Sequence, residues 1–382
     1  MSTQAVFNYL VQMNAKGASD LYLTVGSPPM LRIESRMEQI RPEPLSIDEV
    51  IEIINVVFTP RQRRDYESKM ELNSSLDMGQ HGRFRVNAMR QKQCPALVIR
   101  RVVSTIPNFQ QLSLPPIVGQ LARLKRGLVL LTGMTGSGKS TTLASMIDYR
   151  NQMEHGHIVT IEDPIEYFHD HRKSIVSQRE IGVDTESYAV ALKNVLRQRP
   201  DVILVGEIRD REVMEQALLV AETGHLCLAT LHTTNTYQAI DRIIGFFPEE
   251  YSQQLRLNLS LNLRAIISQR LIPDKHNNMR LAVEVMLNEG LIKDLIYEGK
   301  ITKIKDVMEQ NVANGMCTFD QSLLDLYTQG VITEDIALTY ADMPGDLRIK
   351  IKQGVLAQSR QDFRSFNTEG LTLSEAETTK RR

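Results

Sequence analysis

Two kinds of chemistry stand out in this sequence: a loop suited to hold a polyphosphate, and several short charged stretches suited to attack one. Residues 133–140 read Gly133-Met134-Thr135-Gly136-Ser137-Gly138-Lys139-Ser140 and match G-x-x-x-x-G-K-[ST] at every defined position. Glycines at 133, 136 and 138 free the backbone to aim N–H groups at phosphate oxygens, and a helix starting here adds its positive end. Lys139 is expected to reach the β- and γ-phosphates, and the Ser140 hydroxyl to ligate Mg²⁺. Thr135, Ser137 and Thr141 complete the expected nucleotide-binding set.

The stretch Glu162-Asp163-Pro164-Ile165-Glu166 puts three carboxylates within five residues. Hydrolysis needs one carboxylate to orient or deprotonate water and others to support the metal. Spacing leaves open whether Glu162 or Glu166 is the base, and a solvated acidic loop is the plain alternative. Glu207 follows the apolar run 202–205 and offers Mg²⁺ a carboxylate, directly or through water, whereas Asp201 lies at the wrong end of that run. Arg209 and Asp210 belong either to the same site or to a structural ion pair. His232, after the run 226–231, is a candidate γ-phosphate sensor, and His225 a weaker one; lone histidines are more often structural. Arg83, Arg85 and Arg100 read first as surface-pairing groups, yet would neutralise transition-state charge if their domain closed over a nucleotide.

These groups meet only if the right elements carry them. Gly127-Leu128-Val129-Leu130-Leu131 reads as a buried strand and residues 141–147 as a helix, the context that the phosphate loop requires. Apolar strands expected at 128–132, 158–161, 202–205 and 226–231 alternate with helical stretches, which predicts a mainly parallel sheet with ligands beyond its carboxyl ends. Earlier, residues 4–14 have helical spacing, 20–25 and 30–33 read as strands, and 47–58 as a helix with a Ser46/Glu49 capping box. Residues 83–88 and 96–100 read as antiparallel strands, and the pattern from Val283 to Met343 as wholly helical. The expected α/β organisation is an N-terminal domain at 1–104, a proline-bearing linker at 105–118, an ATPase core at 119–275, a helical bundle at 276–345 and a disordered tail at 346–382.

Lys+Arg 45 against Asp+Glu 46 leaves a net charge of −1, and Trp is absent, so neither a basic field nor a stacking platform argues for nucleic acid. Three widely spaced cysteines, Cys94, Cys227 and Cys317, read as reduced thiols. No apolar run reaches membrane-spanning length, so a soluble cytoplasmic protein is expected, with membrane contact only through a partner.

Together the phosphate loop, Thr160-Ile161-Glu162-Asp163-Pro164-Ile165-Glu166, the stretch from Leu196 through Gly206-Glu207-Ile208-Arg209-Asp210, and Thr223-Gly224-His225 through His232-Thr233 resemble the secretion and type IV pilus motor ATPases. The likeness is greatest to the retraction branch called PilT/PilU. Ala18-Ser19-Asp20-Leu21 and Gly82-Arg83-Phe84-Arg85-Val86-Asn87 extend it into the first domain, so that it covers residues 5–343. The resemblance implies a PAS-like N-terminal domain, a RecA-like P-loop ATPase domain, a ring homohexamer and nucleotide held between the domains. It further implies Glu166 as general base, Glu207 serving Mg²⁺, Arg85 and Arg100 approaching the γ-phosphate, and rotation that turns an inner-membrane platform protein. Two departures, Tyr297 in place of a basic residue and a chain running on past the bundle, resemble the accessory member of that branch. They imply an accessory working beside a second retraction ATPase. The rival reading is a nucleotide-switched protein that docks on that motor with little turnover of its own.

Overall fold

The computed structural model describes residues 3–34, 36–102 and 105–365. They fall into two compact units. One takes the chain up to Leu112 with Val118–Leu128 and Ser140–Thr230; the other takes Ser113–Ile117, Val129–Lys139 and the chain from Leu231 on.

In the first unit six strands, β1 (Asp20–Thr24), β2 (Met30–Ile33), β3 (Arg36–Gln39), β4 (Glu71–Asp77), β5 (Arg83–Gln91) and β6 (Cys94–Val102), form an antiparallel sheet ordered β3-β2-β1-β6-β5-β4. Strand alternation sorts its faces. Phe84, Val86 and Ala88 point into a core with Leu21, Leu23, Leu97 and Ile99, closed by Leu10 and Met13 from the Thr3–Ala15 helix and by Val50 and Ile53 from the Ile47–Val57 helix. Arg85 therefore stands on the opposite face, with Arg100 as its register partner across β6. The expected capping box forms: the Glu49 amide donates to Ser46 Oγ at 3.2 Å and the Ser46 amide to Glu49 Oε2 at 2.7 Å.

The second sheet uses β7 (Gly127–Thr132), β8 (Gly156–Glu162), β9 (Ser174–Glu180), β10 (Val202–Val205), β11 (Leu226–Leu231), β12 (Leu263–Pro273) and β13 (Met279–Leu287), ordered β13-β12-β7-β11-β10-β8-β9. Within the first unit β11, β10, β8 and β9 run parallel, and every residue of β10 and β11 is buried. The Gly206 amide donates to the Ile161 carbonyl at 2.8 Å, so the acidic loop after β8 and Glu207 after β10 leave the sheet side by side. This is the carboxyl end, where such sheets bind ligands.

In the second unit β12 and β13 form an antiparallel hairpin. Ile272 and Ala282 from it pack with Phe319, Leu323, Ala337, Leu347 and Ile351 of the helices that follow and with Ile332 in a connection between them. Two expectations need correction here. Residues from Val283 were expected to be helical, but 283–287 finish strand β13; an apolar run fits either period, and pairing with β12 decides it. The expected disordered tail from residue 346 begins instead inside the Pro344–Ser365 helix, where Leu347 and Ile351, one turn apart, are buried. Its remainder, 366–382, lies outside the described residues. Among the described residues no helix is long and apolar enough to cross a membrane.

Candidate active site

The phosphate loop joins β7 to the Lys139–Met153 helix, and its shape accounts for its glycines. Gly133 has φ of 146°, and a Cβ there would overlap Ser137 Oγ and lie 2.6 Å from the Gln269 carbonyl oxygen. Gly136 and Gly138, at φ of 82° and 88°, have open space around them and are required by backbone conformation alone. Lys139 is buried, and its Nζ donates to the carbonyl oxygens of Gly133 at 2.8 Å and Met134 at 3.0 Å. Ser137 Oγ is buried without a hydrogen-bond partner. Such a hydroxyl is costly unless something accepts from it. A phosphate oxygen is an acceptor of the right chemistry, so the loop fits a nucleotide. Ser140 is exposed, while Thr141 Oγ1 is hydrogen-bonded to Tyr167 Oη at 2.9 Å.

The carboxylates and arginines lie in the first unit, around a cleft of about 830 Å³ whose lining includes Arg85, Arg100, Asp163, Glu180 and Arg209. Arg85 Nη2 donates to Glu166 Oε1 at 3.1 Å, which joins the open face of the first sheet to the acidic loop. Arg100 is held otherwise: its Nε donates to Asp20 Oδ1 at 2.7 Å while the side chain stays 63% exposed. Burial pushes the Asp20 carboxyl up, but hydrogen bonds from Arg100 and Ser19 outweigh it and leave the group below its ordinary value.

Glu162 sits at the end of β8 and accepts from Thr160 Oγ1 at 2.6 Å and Gln178 Nε2 at 3.4 Å. Burial nevertheless pushes its carboxyl up to about 7. Glu207 is bonded to the Arg209 guanidinium, whose Nη1 lies 3.9 Å from Asp163. Arg209 thus pairs with carboxylates of the acidic stretches, while Asp210 caps the Arg211–Glu222 helix by accepting from the Val213 amide at 3.0 Å. Tyr188 Oη would lie 2.7 Å from a Cβ on Gly206, so a larger residue before Glu207 would have to displace the Tyr188 hydroxyl. Burial, with Asp163 and Glu207 nearby, raises the Tyr188 phenol and keeps it protonated.

The structure therefore joins Arg85 with Glu166 and links Glu207 to Asp163 through Arg209, and places Arg100 in the same cleft. It sets Arg83 aside, paired with Asp77 at 3.1 Å and lying 3.6 Å over the Phe168 ring. His225 pairs with Thr223 Oγ1 at 3.1 Å; His232 is exposed just beyond β11. Sequence reasoning missed Tyr188, Tyr167 and Gln178. Tyr188 opens a helix far from any motif, and the alternation that would mark Gln178 is hidden in the polar strand β9.

Residues 49–324 match the family model described as Type II/IV secretion system protein. The chain is 49% identical over 362 residues to the type IV pilus ATPase PilU of Pseudomonas aeruginosa, covering 94% of each. It is 40% identical over 336 residues to the type IV pilus retraction ATPase PilT of the same organism, covering 88% of this chain and 98% of that one. A crystal structure of the pilus retraction motor PilT with bound ADP is similar at a TM-score of 0.83 and 42% identity, over 88% of this chain and 97% of that one. A mixed α/β N-terminal domain, a RecA-like ATPase core and a C-terminal helical region are common ground with that architecture. From phosphate loop to acidic loop, and over nearly its whole described length, the chain belongs to the PilT/PilU-like family of type IV pilus retraction ATPases.

Proposed function

We propose that the chain binds Mg-ATP and hydrolyses it to drive type IV pilus retraction and twitching motility, as an accessory beside a second retraction ATPase. The observation that carries the chemistry is the phosphate loop itself, with its buried partnerless Ser137 hydroxyl beside a lysine that already donates to the loop. In this reading Gly133, Thr135, Gly136, Ser137, Gly138, Lys139 and Thr141 hold the nucleotide. Ser140 and Glu207 hold Mg²⁺, which when bound neutralises phosphate charge and orients the β- and γ-phosphates. Glu166 takes the proton of the attacking water as its oxygen bonds to the γ-phosphorus and the bond to ADP breaks. Glu162, half-buried four residues earlier in the chain and raised in pKa, supports that carboxylate. Arg85, now on Glu166, and Arg100 neutralise the γ-phosphoryl oxygens, and His232 reports the γ-phosphate.

The same reading extends to assembly. The N-terminal domain is PAS-like, six copies form a ring, and the ring works in the cytoplasm against an inner-membrane platform protein. The accessory role rests on Tyr297, 48% exposed on the Leu291–Glu298 helix where a basic residue was expected.

The test is ATP turnover by the purified protein against Glu166→Ala and Lys139→Ala, with oligomer size measured in the same samples. A hydrolysing hexamer, a Glu166→Ala variant that binds without turnover and a Lys139→Ala variant that no longer binds support the motor. Wild-type turnover no higher than that of Glu166→Ala, in a ring that binds ATP, would make the nucleotide-switched partner of another motor the better account.

A further inference from the structure

Arg270, on β12 in the second unit, holds three segments that are far apart in the chain. Its Nη1 donates to the Tyr340 carbonyl at 3.1 Å, and its Nη2 to the Thr234 carbonyl at 3.3 Å. Nη2 also pairs with Asp342 Oδ1 at 2.7 Å, and the guanidinium lies 3.8 Å over the Phe319 ring.

Thr234 stands two residues beyond His232, in a turn that is pinned from the other side. Asn235 Oδ1 accepts from the Gln238 amide at 3.0 Å, and the buried Glu284 of β13 accepts from the Thr236 amide at 2.7 Å. The segment at 340–343 is fixed in turn by Asp320, which accepts from the amides of Asp342 at 2.8 Å and Met343 at 3.2 Å. Met343 leads directly into the Pro344–Ser365 helix, whose Leu347 packs in the cluster that contains Phe319.

One planar guanidinium thus serves both the turn after His232 and the lead-in to the C-terminal helix. A guanidinium is a rigid fork, so a shift of Asp342 redirects the N–H groups aimed at Thr234. Lysine offers a point charge that can pair with Asp342 but cannot hold three acceptors in one plane. We propose that Arg270 is a positioning residue that couples the lead-in to the C-terminal helix to the loop carrying His232, so that displacement of that helix retunes hydrolysis. The proposal rests on the assignment of His232 to the γ-phosphate made above.

The experiment uses full-length Arg270→Ala, Arg270→Lys, Asp342→Ala and the Arg270→Ala/Asp342→Ala double variant. Steady-state ATP turnover, melting temperature and hydrogen exchange at the amides of 233–236 are measured on each. The expected result is a fall in kcat of about tenfold for Arg270→Ala with KM within about twofold, since a misplacement of about 1 Å can cost that much. Arg270→Lys restores the melting temperature without restoring kcat. Asp342→Ala speeds exchange at 233–236 and lowers kcat, and the double variant is no slower than Arg270→Ala because the two residues act through one contact. Turnover within twofold of wild type in Arg270→Lys and Asp342→Ala, with exchange at 233–236 unchanged, overturns the proposal and leaves Arg270 a packing residue. Faster exchange in Asp342→Ala with unchanged turnover, alongside a silent His232→Ala, overturns the role given to His232 while the mechanical link stands.

Discussion

Arg85 and Arg100 are register partners on neighbouring strands, two like charges directly across from each other, and each is held by a different carboxylate. Arg85 is bound to Glu166 and Arg100 to Asp20. Like charges so placed repel, so the pair is tolerated at a cost that the two carboxylates offset. That arrangement suits groups meant for an incoming anion.

Removing Arg85 relieves repulsion, so Arg85→Ala is expected to change the melting temperature little while turnover falls by one to two orders of magnitude. Asp20→Ala is expected to do the reverse. It deprives Arg100 of its bond, and because that guanidinium is 63% exposed and stays hydrated the loss in a denaturant titration is about 0.5–1.5 kcal/mol. Comparable destabilisation by both variants would mean that the two arginines are ordinary surface groups.

The part played by Glu162 is read from pH. Below about 7 the Glu162 carboxyl keeps its proton, so if its carboxylate supports the base, turnover rises as pH passes through about 7 and Glu162→Gln removes that limb. Stability follows the same group with the opposite sense. Its folded value lies above the 4.5 of the free carboxyl, so the folded state binds the proton more tightly and stability falls as pH rises from 4.5 to about 7. Glu162→Gln should therefore gain more in melting temperature at pH 8 than at pH 5. A Glu166→Gln variant that turns over within threefold of wild type, beside an inactive Glu162→Gln, would move the base to Glu162.

Within the phosphate loop the glycines are not equivalent. Gly133→Ala collides with Ser137 and with the backbone of Gln269 and is expected to abolish nucleotide binding. Gly136→Ala meets no neighbour and carries only the left-handed penalty of about 1–2 kcal/mol, so binding weakens about tenfold. Equal losses in a fluorescent-nucleotide titration would contradict the loop geometry.

The start of the C-terminal helix is packed, and Leu347→Ala should cost about 2–5 kcal/mol in chemical denaturation. A loss below about 0.5 kcal/mol would show that the segment contributes no core.

Much of this was legible in the chain, and for identifiable reasons. The phosphate loop is local: eight consecutive positions, 133–140, that leave a fully buried strand and run into a helix leave little else to read. Ser46 and Glu49 were legible because a capping box is a three-residue relationship. Strand β13 was not, because Met279–Leu287 contains an apolar run with no turn signal inside it, and only hydrogen bonding to β12 distinguishes strand from helix. The Pro344–Ser365 helix was hidden because its low apolar density masks two well-placed residues, Leu347 and Ile351. In the site, residue types were readable but partners were not. Arg85 meets Glu166 across 81 positions and Arg100 meets Asp20 across 80, distances over which spacing carries no information.

The order β3-β2-β1-β6-β5-β4 has a consequence for synthesis. Strand β1, at Asp20–Thr24, has β6, at Cys94–Val102, as its central partner, so the middle of the sheet is closed by the last strand made. Until Val102 has left the ribosome, the β1–β3 meander and its helices expose apolar faces without their main seam. A nascent chain of this kind waits through a long non-local loop closure before it can bury its core, and a pause or truncation before Val102 would hand chaperones an open half-sheet.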